Sequence, residues 1–147
     1  MKILLTGGTG FIGTRLIREL LQSQSELEQV FILVRPTSLE KAKHRFTQML
    51  TDPSDFEKIT FIIGNLREPM LGVSDQDIDM LSGQVNQFFH LGAIYDLNAD
   101  REAQLAVNVQ GTRYAASFAK NIRANSFHLM SSIAAAGLYP GVFREDM

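Results

Sequence analysis

The stretch LLTGGTGFIG at residues 4–13 restricts the fold more than any other part of the sequence. The apolar run Lys2–Thr6 ends at a glycine, which is typical of a strand buried on both faces of a sheet. Residues 11–21 then carry apolar side chains at helical spacing. The sequence therefore predicts a strand, a tight turn and a helix, with Gly7 or Gly8 supplying the backbone angles that the turn needs.

Strand and helix patterns go on alternating after this first unit. Short β-rich runs are separated by segments with helical periodicity, and Pro36 and Pro53 mark breaks between them. We expect further strands at residues 30–34, 59–63, 88–91 and 126–131, and helices at residues 39–50 (capped by Ser38), 75–81 and 100–122, with a loop from residue 133. Five strands joined by helical segments predict an α/β fold, a doubly wound parallel sheet of the Rossmann type covered on both faces.

Length and composition allow one domain over residues 1–147 with a sizeable core. The formal net charge of −2 comes from dispersed residues, so we expect no nucleic-acid surface and favour a small ligand as the partner. The chain has no cysteine and three dispersed histidines, which excludes disulfides and predicts no metal site. No window approaches the roughly 18 to 20 apolar residues of a membrane span, and no targeting segment precedes the first strand. We therefore expect a cytoplasmic protein that contacts no membrane.

The glycine loop has the spacing of a phosphate-binding turn. Gly10 leaves room where a Cβ would block a pyrophosphate, and Gly13 allows the helix to pack close to the strand. The N-terminus of the helix adds unpaired N–H groups that favour an anion. We therefore predict a dinucleotide site formed by Gly7, Gly8, Thr9, Gly10, Phe11, Ile12 and Gly13. A glycine-rich turn without a ligand is the alternative.

The residue at the end of the second strand indicates which dinucleotide binds. NAD sites usually place Asp or Glu there to accept from the ribose hydroxyls, whereas this chain has Arg35. A guanidinium pairs with a 2′-phosphate, and Thr37, Ser38 and Lys41 lie close enough in sequence to assist. The sequence thus favours NADP over NAD, with Arg35 and Ser38 as cofactor contacts. The alternative for Arg35 is an ordinary solvated charge.

Five short motifs recur in the order in which a known family places them. They are TGGTGFIG (residues 6–13), GNL (64–66), HLGA (90–93), NVQGT (108–112) and MSSIAAAG (130–137). In these motifs the chain resembles the extended short-chain dehydrogenase/reductases, among them reductases of acyl thioesters and epimerase/dehydratase-like oxidoreductases. The resemblance covers essentially the whole chain. It implies transfer of hydride between a nicotinamide dinucleotide and a carbonyl, hydroxyl or acyl-thioester substrate.

The resemblance also implies further cofactor contacts. The family has a Gly-Asp-Leu motif after the third strand, and here Asn65 replaces the acid, although its amide can still bond the adenine edge. The segment after the fourth strand is implied to pass beneath the cofactor. A bonded network or a solvent-facing position are equal alternatives for Asn108. The contacts implied in this way are Asn65, Leu66, Leu91, Gly92, Ala93 and Asn108.

One catalytic residue is implied by the last motif. Counting back from Gly137 makes Ser132, rather than Ser131, similar to the Ser or Thr that bonds the substrate carbonyl or hydroxyl. His90 is implied to serve cofactor packing, and a satisfied structural histidine is favoured over a catalyst at that position.

The family's chemistry also uses a Tyr-x-x-x-Lys pair, and none of the three tyrosines here has a lysine four positions on. We therefore expect the N-terminal portion of a longer reductase, without the family's C-terminal strands and substrate region, that binds cofactor without turnover. Whether the chain is itself an enzyme stays open. The alternatives are a non-catalytic dinucleotide-binding or redox-sensing module and a fragment with neither activity. An uncovered sheet edge would also favour a homo-oligomer.

Overall fold

The computed structural model of the chain describes residues 1–96 and 98–147. Neighbouring strands of its sheet all pair in parallel. The strands are β1 (Lys2–Thr6), β2 (Gln29–Val34), β3 (Ile59–Ile63), β4 (Gln87–His90) and β5 (Ser126–Leu129). Their order in the sheet is β3-β2-β1-β4-β5. This is the doubly wound order of a Rossmann-type sheet, so the fold expected from the sequence is confirmed.

Helices connect the strands and cover both faces of the sheet. They are α1 (Phe11–Ser23), α2 (Leu39–Met49), α3 (Pro53–Glu57), α4 (Asp75–Leu81), α5 (Arg101–Gln104) and α6 (Thr112–Asn121). A π-helical segment, Leu105–Gly111, joins α5 to α6. Short 3₁₀ turns occur at Pro36–Ser38, Pro69–Gly72 and Ile133–Ala136. Across the two described ranges, no helix combines the length and the apolar character that a membrane span requires.

Two local expectations at helix starts are wrong. Ser38 makes no capping hydrogen bond, because it ends a 3₁₀ turn and has φ −108° and ψ −4° instead of the extended backbone of a cap. Pro53, expected only to break the chain, begins the short helix α3, whose first turn tolerates a missing N–H. Asp52 caps α3 by accepting a hydrogen bond from the Ser54 N–H at 2.9 Å.

The single long helix expected at residues 100–122 is interrupted by the π-helical segment Leu105–Gly111. A π turn inserts one extra residue into the helical ladder, which apolar periodicity does not reveal. The insertion changes the direction in which side chains of this segment project. Asn108 lies within this π-helical segment.

The core consists of two apolar clusters, one on each face of the sheet. Alternate side chains of β1 enter different clusters: Leu4 packs with Phe88 and α6, whereas Ile3 and Leu5 pack against α1 and α2. Because both faces are covered, the central strands are apolar at nearly every position. This packing holds the carboxyl ends of the strands level at one edge, where the loops converge.

Candidate functional site

A cleft of about 800 Å³ lies at the carboxyl ends of β1 to β4. The chain leaves β1 towards β2 on one side, and β4 lies on the other, so the loops after β1 and β4 diverge and leave a crevice. All the predicted cofactor contacts except Gly8 and Asn108 line this cleft. They are Gly7, Thr9, Gly10, Phe11, Ile12, Gly13, Arg35, Ser38, Asn65, Leu66, Leu91, Gly92 and Ala93.

Gly7 makes the tight turn that the sequence left open between Gly7 and Gly8. Its φ is +69°, a backbone angle that side chains disfavour. A Cβ on Gly7 would lie 2.7 Å from the backbone nitrogen of Gly92, so only glycine fits this approach of β1 to β4. The turn closes when the Gly10 N–H donates to the Gly7 carbonyl at 2.9 Å.

Gly8 and Gly13 allow the glycine loop to pack closely against the core and against α1. Gly8 is buried towards Ile32 and Ile17 and does not line the cleft. A Cβ on Gly13 would lie 2.6 Å from Gly8 Cα, which confirms the close packing of α1 on the loop that the spacing predicts. Gly10 differs, since a Cβ there would meet only the Gly7 carbonyl at 3.2 Å and its φ is −78°. A side chain at Gly10 therefore needs only a small shift of the Gly7 carbonyl, and that side chain would take up room at the cleft.

Positive charge lies at the β2 end of the cleft. Arg35 and Ser38 both line it. Arg45, on the exposed side of α2, donates a hydrogen bond from Nη1 to the Thr9 carbonyl at 2.5 Å. Arg67 lines the cleft from the loop after β3. Arg45 and Arg67 were not predicted from the sequence. Their closeness to the cleft depends on how α2 and the loop after β3 pack.

Asn65 begins a tightly bonded turn after β3. Its Oδ1 accepts from the Arg67 N–H at 3.1 Å, and its Nδ2 donates to Glu68 Oε1 at 2.8 Å. A carboxylate in place of this amide would face the Glu68 carboxylate without a proton to donate. The loop therefore favours asparagine where the resembled family has an acid, and one Nδ2 hydrogen remains for a ligand.

The same loop contains a strained segment at Pro69–Gly72. Met70 and Leu71 both have positive φ, +52° and +58°, although neither is a glycine. Full burial of Leu71 and a hydrogen bond of 2.6 Å from the Asn65 N–H to the Leu71 carbonyl hold this conformation. The segment thus fixes the wall that carries Asn65 and Arg67.

Asn108 braces the opposite wall of the cleft from the π-helical segment. Its Oδ1 accepts from the Ile94 N–H at 2.8 Å, and its Nδ2 donates to the Ile94 carbonyl at 2.9 Å. Ile94 lines the cleft, whereas Asn108 does not. The bonded network is therefore confirmed over the solvent-facing alternative.

A second, smaller cavity of about 220 Å³ adjoins the cleft. Gly92, Ala93 and Tyr95 line both spaces and form their common wall. The second cavity is also lined by Asn108 and by Ser131 and Ser132. Ser132 Oγ accepts from the Ala134 N–H at 3.2 Å, so its own hydroxyl hydrogen can donate to another group. The fold thus places Ser132 in the cavity next to the cleft, and its catalytic role stays a prediction.

Several residues that line the cleft were not predicted from the sequence. They are Thr6, Leu33, Val34, Gly64, Arg67, Ile94, Tyr95 and Val107. Four of these lie at or just beyond the carboxyl end of a strand, and that position alone would have found them. Val107 has no such signal, because it reaches the cleft from the π-helical segment. Among the described residues, no group of three or more His, Asp or Glu side chains is placed to hold a metal ion.

His90 lies beneath the common wall and lines the second cavity, although only 2% of its surface is exposed. Its Nδ1 is 2.7 Å from Thr6 Oγ1, and its Nε2 is 3.2 Å from Thr112 Oγ1. The ring of Phe127 stacks on the imidazole at 6.2 Å between centroids. Burial lowers the pKa of His90 from 6.5 to about 4, because the imidazolium would lose its hydration. The residue is neutral at physiological pH.

Comparisons with known proteins agree with this geometry. Mouse (Mus musculus) fatty acyl-CoA reductase 1 is 31% identical over 122 residues, which are 76% of this chain and 24% of that protein. The terminal R domain from the myxalamid PKS-NRPS biosynthetic pathway superposes with a TM-score of 0.79 at 27% identity, over 96% of this chain and 37% of that chain. UDP-glucuronic acid 4-epimerase from Bacillus cereus, solved in complex with NAD, superposes with a TM-score of 0.68 at 25% identity, over 100% of this chain and 45% of that one.

The sheet order, the glycine loop and the cleft define a Rossmann-type domain of the extended short-chain dehydrogenase/reductases, as the sequence motifs predict. A family model described as "Male sterility protein", an NAD-binding family, matches residues 5–147. The chain belongs to this family. It spans about a quarter of the length of the mouse relative and over a third of the solved R domain.

The lowered pKa of His90 predicts a specific dependence of stability on pH. The unfolded chain binds a proton at this residue near pH 6.5, whereas the folded chain does so only near pH 4. Stability from this group is therefore complete above pH 6.5 and is lost as the pH falls towards 4, by about 3 kcal/mol in all. Urea unfolding of the unmutated chain and of His90→Asn between pH 4.5 and 7.5 measures this term as the difference in slope. Equal slopes would contradict it.

Proposed function

We propose that the chain is the NADP(H)-binding part of an oxidoreductase that transfers hydride to or from a carbonyl group, with acyl thioesters as the substrate class. The observation that carries the proposal is the cleft at the switch point of the sheet, with the glycine loop as its floor. A bound nicotinamide dinucleotide supplies the hydride donor or acceptor. The residues of this chain bind and orient it.

The glycine loop fits a pyrophosphate in shape and charge. Gly10 leaves the loop open at the start of α1, a helix of 13 residues whose first turn contains no acidic side chain. Unpaired N–H groups there would donate to phosphate oxygens, and the helix dipole favours the negative charge. The Arg45 guanidinium on Thr9 adds positive charge beside the loop.

The charge of the cleft supports NADP over NAD. Among the described residues, its lining includes Arg35 and Arg67 and contains neither Asp nor Glu. A site for NAD usually offers a carboxylate to the ribose hydroxyls, and the described part of this lining has none. Arg35 with Ser38 would hold a 2′-phosphate by charge-assisted hydrogen bonds, and Asn65 would face the adenine edge.

The acyl-thioester substrate is supported by the relatives and by the second cavity. A curated relative acts on fatty acyl-CoA by name, and a solved neighbour is a terminal R domain of a PKS-NRPS pathway. A carbonyl group in the second cavity would lie beside Ser132, whose hydroxyl would donate to the carbonyl oxygen and orient it.

The second candidate is a non-catalytic dinucleotide-binding or redox-sensing module. The observation that favours it is the lack of a Tyr-x-x-x-Lys pair among these 147 residues. Such a module would keep the glycine loop and the cleft and would need no proton donor. Dinucleotide binding is common to both candidates, and turnover distinguishes them.

Replacing Gly10 tests the dinucleotide site without unfolding the chain. Valine suits the Gly10 backbone angle of φ −78° and requires a small shift of the Gly7 carbonyl, but it fills space at the cleft, so NADPH binding is expected to disappear while the fold persists. Gly10→Ala should weaken binding less. Isothermal titration calorimetry measures the affinities, and circular dichroism confirms the fold. Wild-type affinity in Gly10→Val would show that the dinucleotide does not lie over this loop.

Arg35→Asp tests the choice of cofactor. Loss of a charge-assisted contact worth roughly 1.5 to 3 kcal/mol should weaken NADPH binding about 10- to 150-fold, with a much smaller effect on NADH. Arg18→Asp, an exposed residue of α1 outside the cleft, is the matched control for net charge. Titration of both variants with both cofactors measures the selectivity. Equal affinity of the unmutated chain for NADPH and NADH would overturn the preference.

Turnover by the 147-residue chain is expected to be absent, because a serine hydroxyl alone is a poor proton source for hydride transfer. The assay follows NADPH absorbance with an acyl-CoA or an aldehyde, after NADPH binding has been shown by fluorescence. Steady oxidation that Ser132→Ala reduces and Ser131→Ala does not would show that the chain is catalytic by itself.

A further inference from the structure

A continuous chain of hydrogen bonds runs beneath the common wall of the two cavities. The Gly92 N–H donates to Thr6 Oγ1 at 3.2 Å, and Thr6 Oγ1 lies 2.7 Å from His90 Nδ1. On the other side of the ring, His90 Nε2 lies 3.2 Å from Thr112 Oγ1, which donates to the Asn108 carbonyl at 2.8 Å. The imidazole thus joins β1 to the helical segment that carries Asn108.

Only one direction of donation satisfies every group in this chain. Thr112 uses its hydroxyl hydrogen on the Asn108 carbonyl, so it can only accept from His90 Nε2–H. His90 Nδ1 then has no hydrogen and accepts from the Thr6 hydroxyl, whose oxygen accepts from Gly92. The neutral Nε2–H tautomer follows from these partners.

The hydrogen-bond chain leads to Gly92 of the common wall at one end and to Ile94 of the cleft lining at the other. At one end the Thr6 oxygen holds the N–H of Gly92, which lines both cavities. At the other end the bond to the Asn108 carbonyl fixes the π turn from which the Asn108 side chain grips Ile94 on both its N–H and its carbonyl. The two ring nitrogens of His90 therefore support two different residues of the cleft lining, Gly92 and Ile94.

We propose that His90 is a positioning residue, whose Nδ1 holds Gly92 through Thr6 and whose Nε2–H holds Ile94 through Thr112 and Asn108. His90 lines the second cavity but not the cleft, and it reaches Gly92 and Ile94 of the cleft lining through these partners. An effect of His90 on cofactor binding rests on the proposed function, whereas its effect on the positions of Gly92 and Ile94 does not. Hydrogen exchange measures the second effect without any cofactor.

Two conservative variants divide the role of His90 into halves. The side-chain oxygen of asparagine stands where Nδ1 stands, so His90→Asn keeps the Thr6 half and loses the Thr112 half. The longer glutamine places its amide near Nε2, so His90→Gln does the reverse. Amide hydrogen exchange by NMR should be about tenfold faster at Ile94 but unchanged at Gly92 in His90→Asn, and the opposite in His90→Gln. Each lost bond loosens the side chain that accepts from that amide, Asn108 for Ile94 and Thr6 for Gly92.

Two threonine variants test the same pattern without touching the histidine. Thr112→Val should reproduce His90→Asn, with faster exchange at Ile94, which Thr112 does not contact directly. Thr6→Val removes the acceptor of the Gly92 N–H itself, so it gives the largest acceleration that loss of the Thr6 half can cause at Gly92. If either histidine variant does not fold, the exchange rates at Gly92 and Ile94 in these near-isosteric threonine variants still test the proposed role of His90. His44→Asn, at an exposed histidine of α2, should change neither amide. Equal acceleration of both amides in the four test variants would overturn the proposal and leave His90 with a general structural role.

Two further measurements complete the test. Long-range ¹H–¹⁵N correlation of the imidazole should show a protonated Nε2 and a bare Nδ1 in the unmutated chain at neutral pH, and a protonated Nδ1 would overturn the assignment. NADPH titration of His90→Asn and His90→Gln should then show weaker binding than in the unmutated chain. If the unmutated chain binds no dinucleotide, the proposed function fails, while the exchange pattern still decides the role of His90.

Discussion

At the carboxyl end of β1 the backbone passes so close to the start of the loop after β4 that no side chain fits between them. A Cβ on Gly7 would lie 2.7 Å from the Gly92 nitrogen, and the positive φ of Gly7 then directs the chain away from β4 and into α1. This turn opens the cleft, places Gly10 at its surface and allows α1 to pack closely on Gly8. Because β1 is the central strand, any displacement here would be transmitted to both neighbouring strands.

The electrostatic character of the cleft comes from loops that are distant in sequence. Arg35 follows β2, Arg67 follows β3, and Arg45 reaches the glycine loop from α2. The amide at Asn65 belongs to the same pattern, since it donates to Glu68 and keeps that carboxylate engaged outside the cleft lining. A cleft whose described lining carries two arginines and no carboxylate attracts a polyanionic ligand. Its two walls are held by separate polar networks.

The wall opposite the arginines depends on polar groups that are buried. Thr6, His90 and Thr112 form a satisfied network in a place where an unpaired polar group would be costly. A network of this kind accepts few alternatives, because each hydroxyl has one hydrogen and the imidazole has one tautomer that suits both. It therefore specifies the position of a wall more sharply than apolar packing alone could. The strained Met70 and Leu71 serve the other wall in a comparable way, held by burial and a backbone hydrogen bond.

The strands, most of the helices and the glycine turn were predictable from the sequence, because buried parallel strands and amphipathic helices leave distinct periodicities and because glycine spacing reports a backbone constraint. Arg35 and the cleft residues at strand ends were predictable from their position, because ligands of such sheets bind at the carboxyl ends of the strands. Only the tertiary structure decided that Asn108 grips Ile94, that Arg45 lies on the loop and that His90 has a partner at each nitrogen. These contacts join residues from 14 to 84 positions apart, and the Asn108 contact also depends on a π turn that changes side-chain direction. No local pattern of the sequence records either feature.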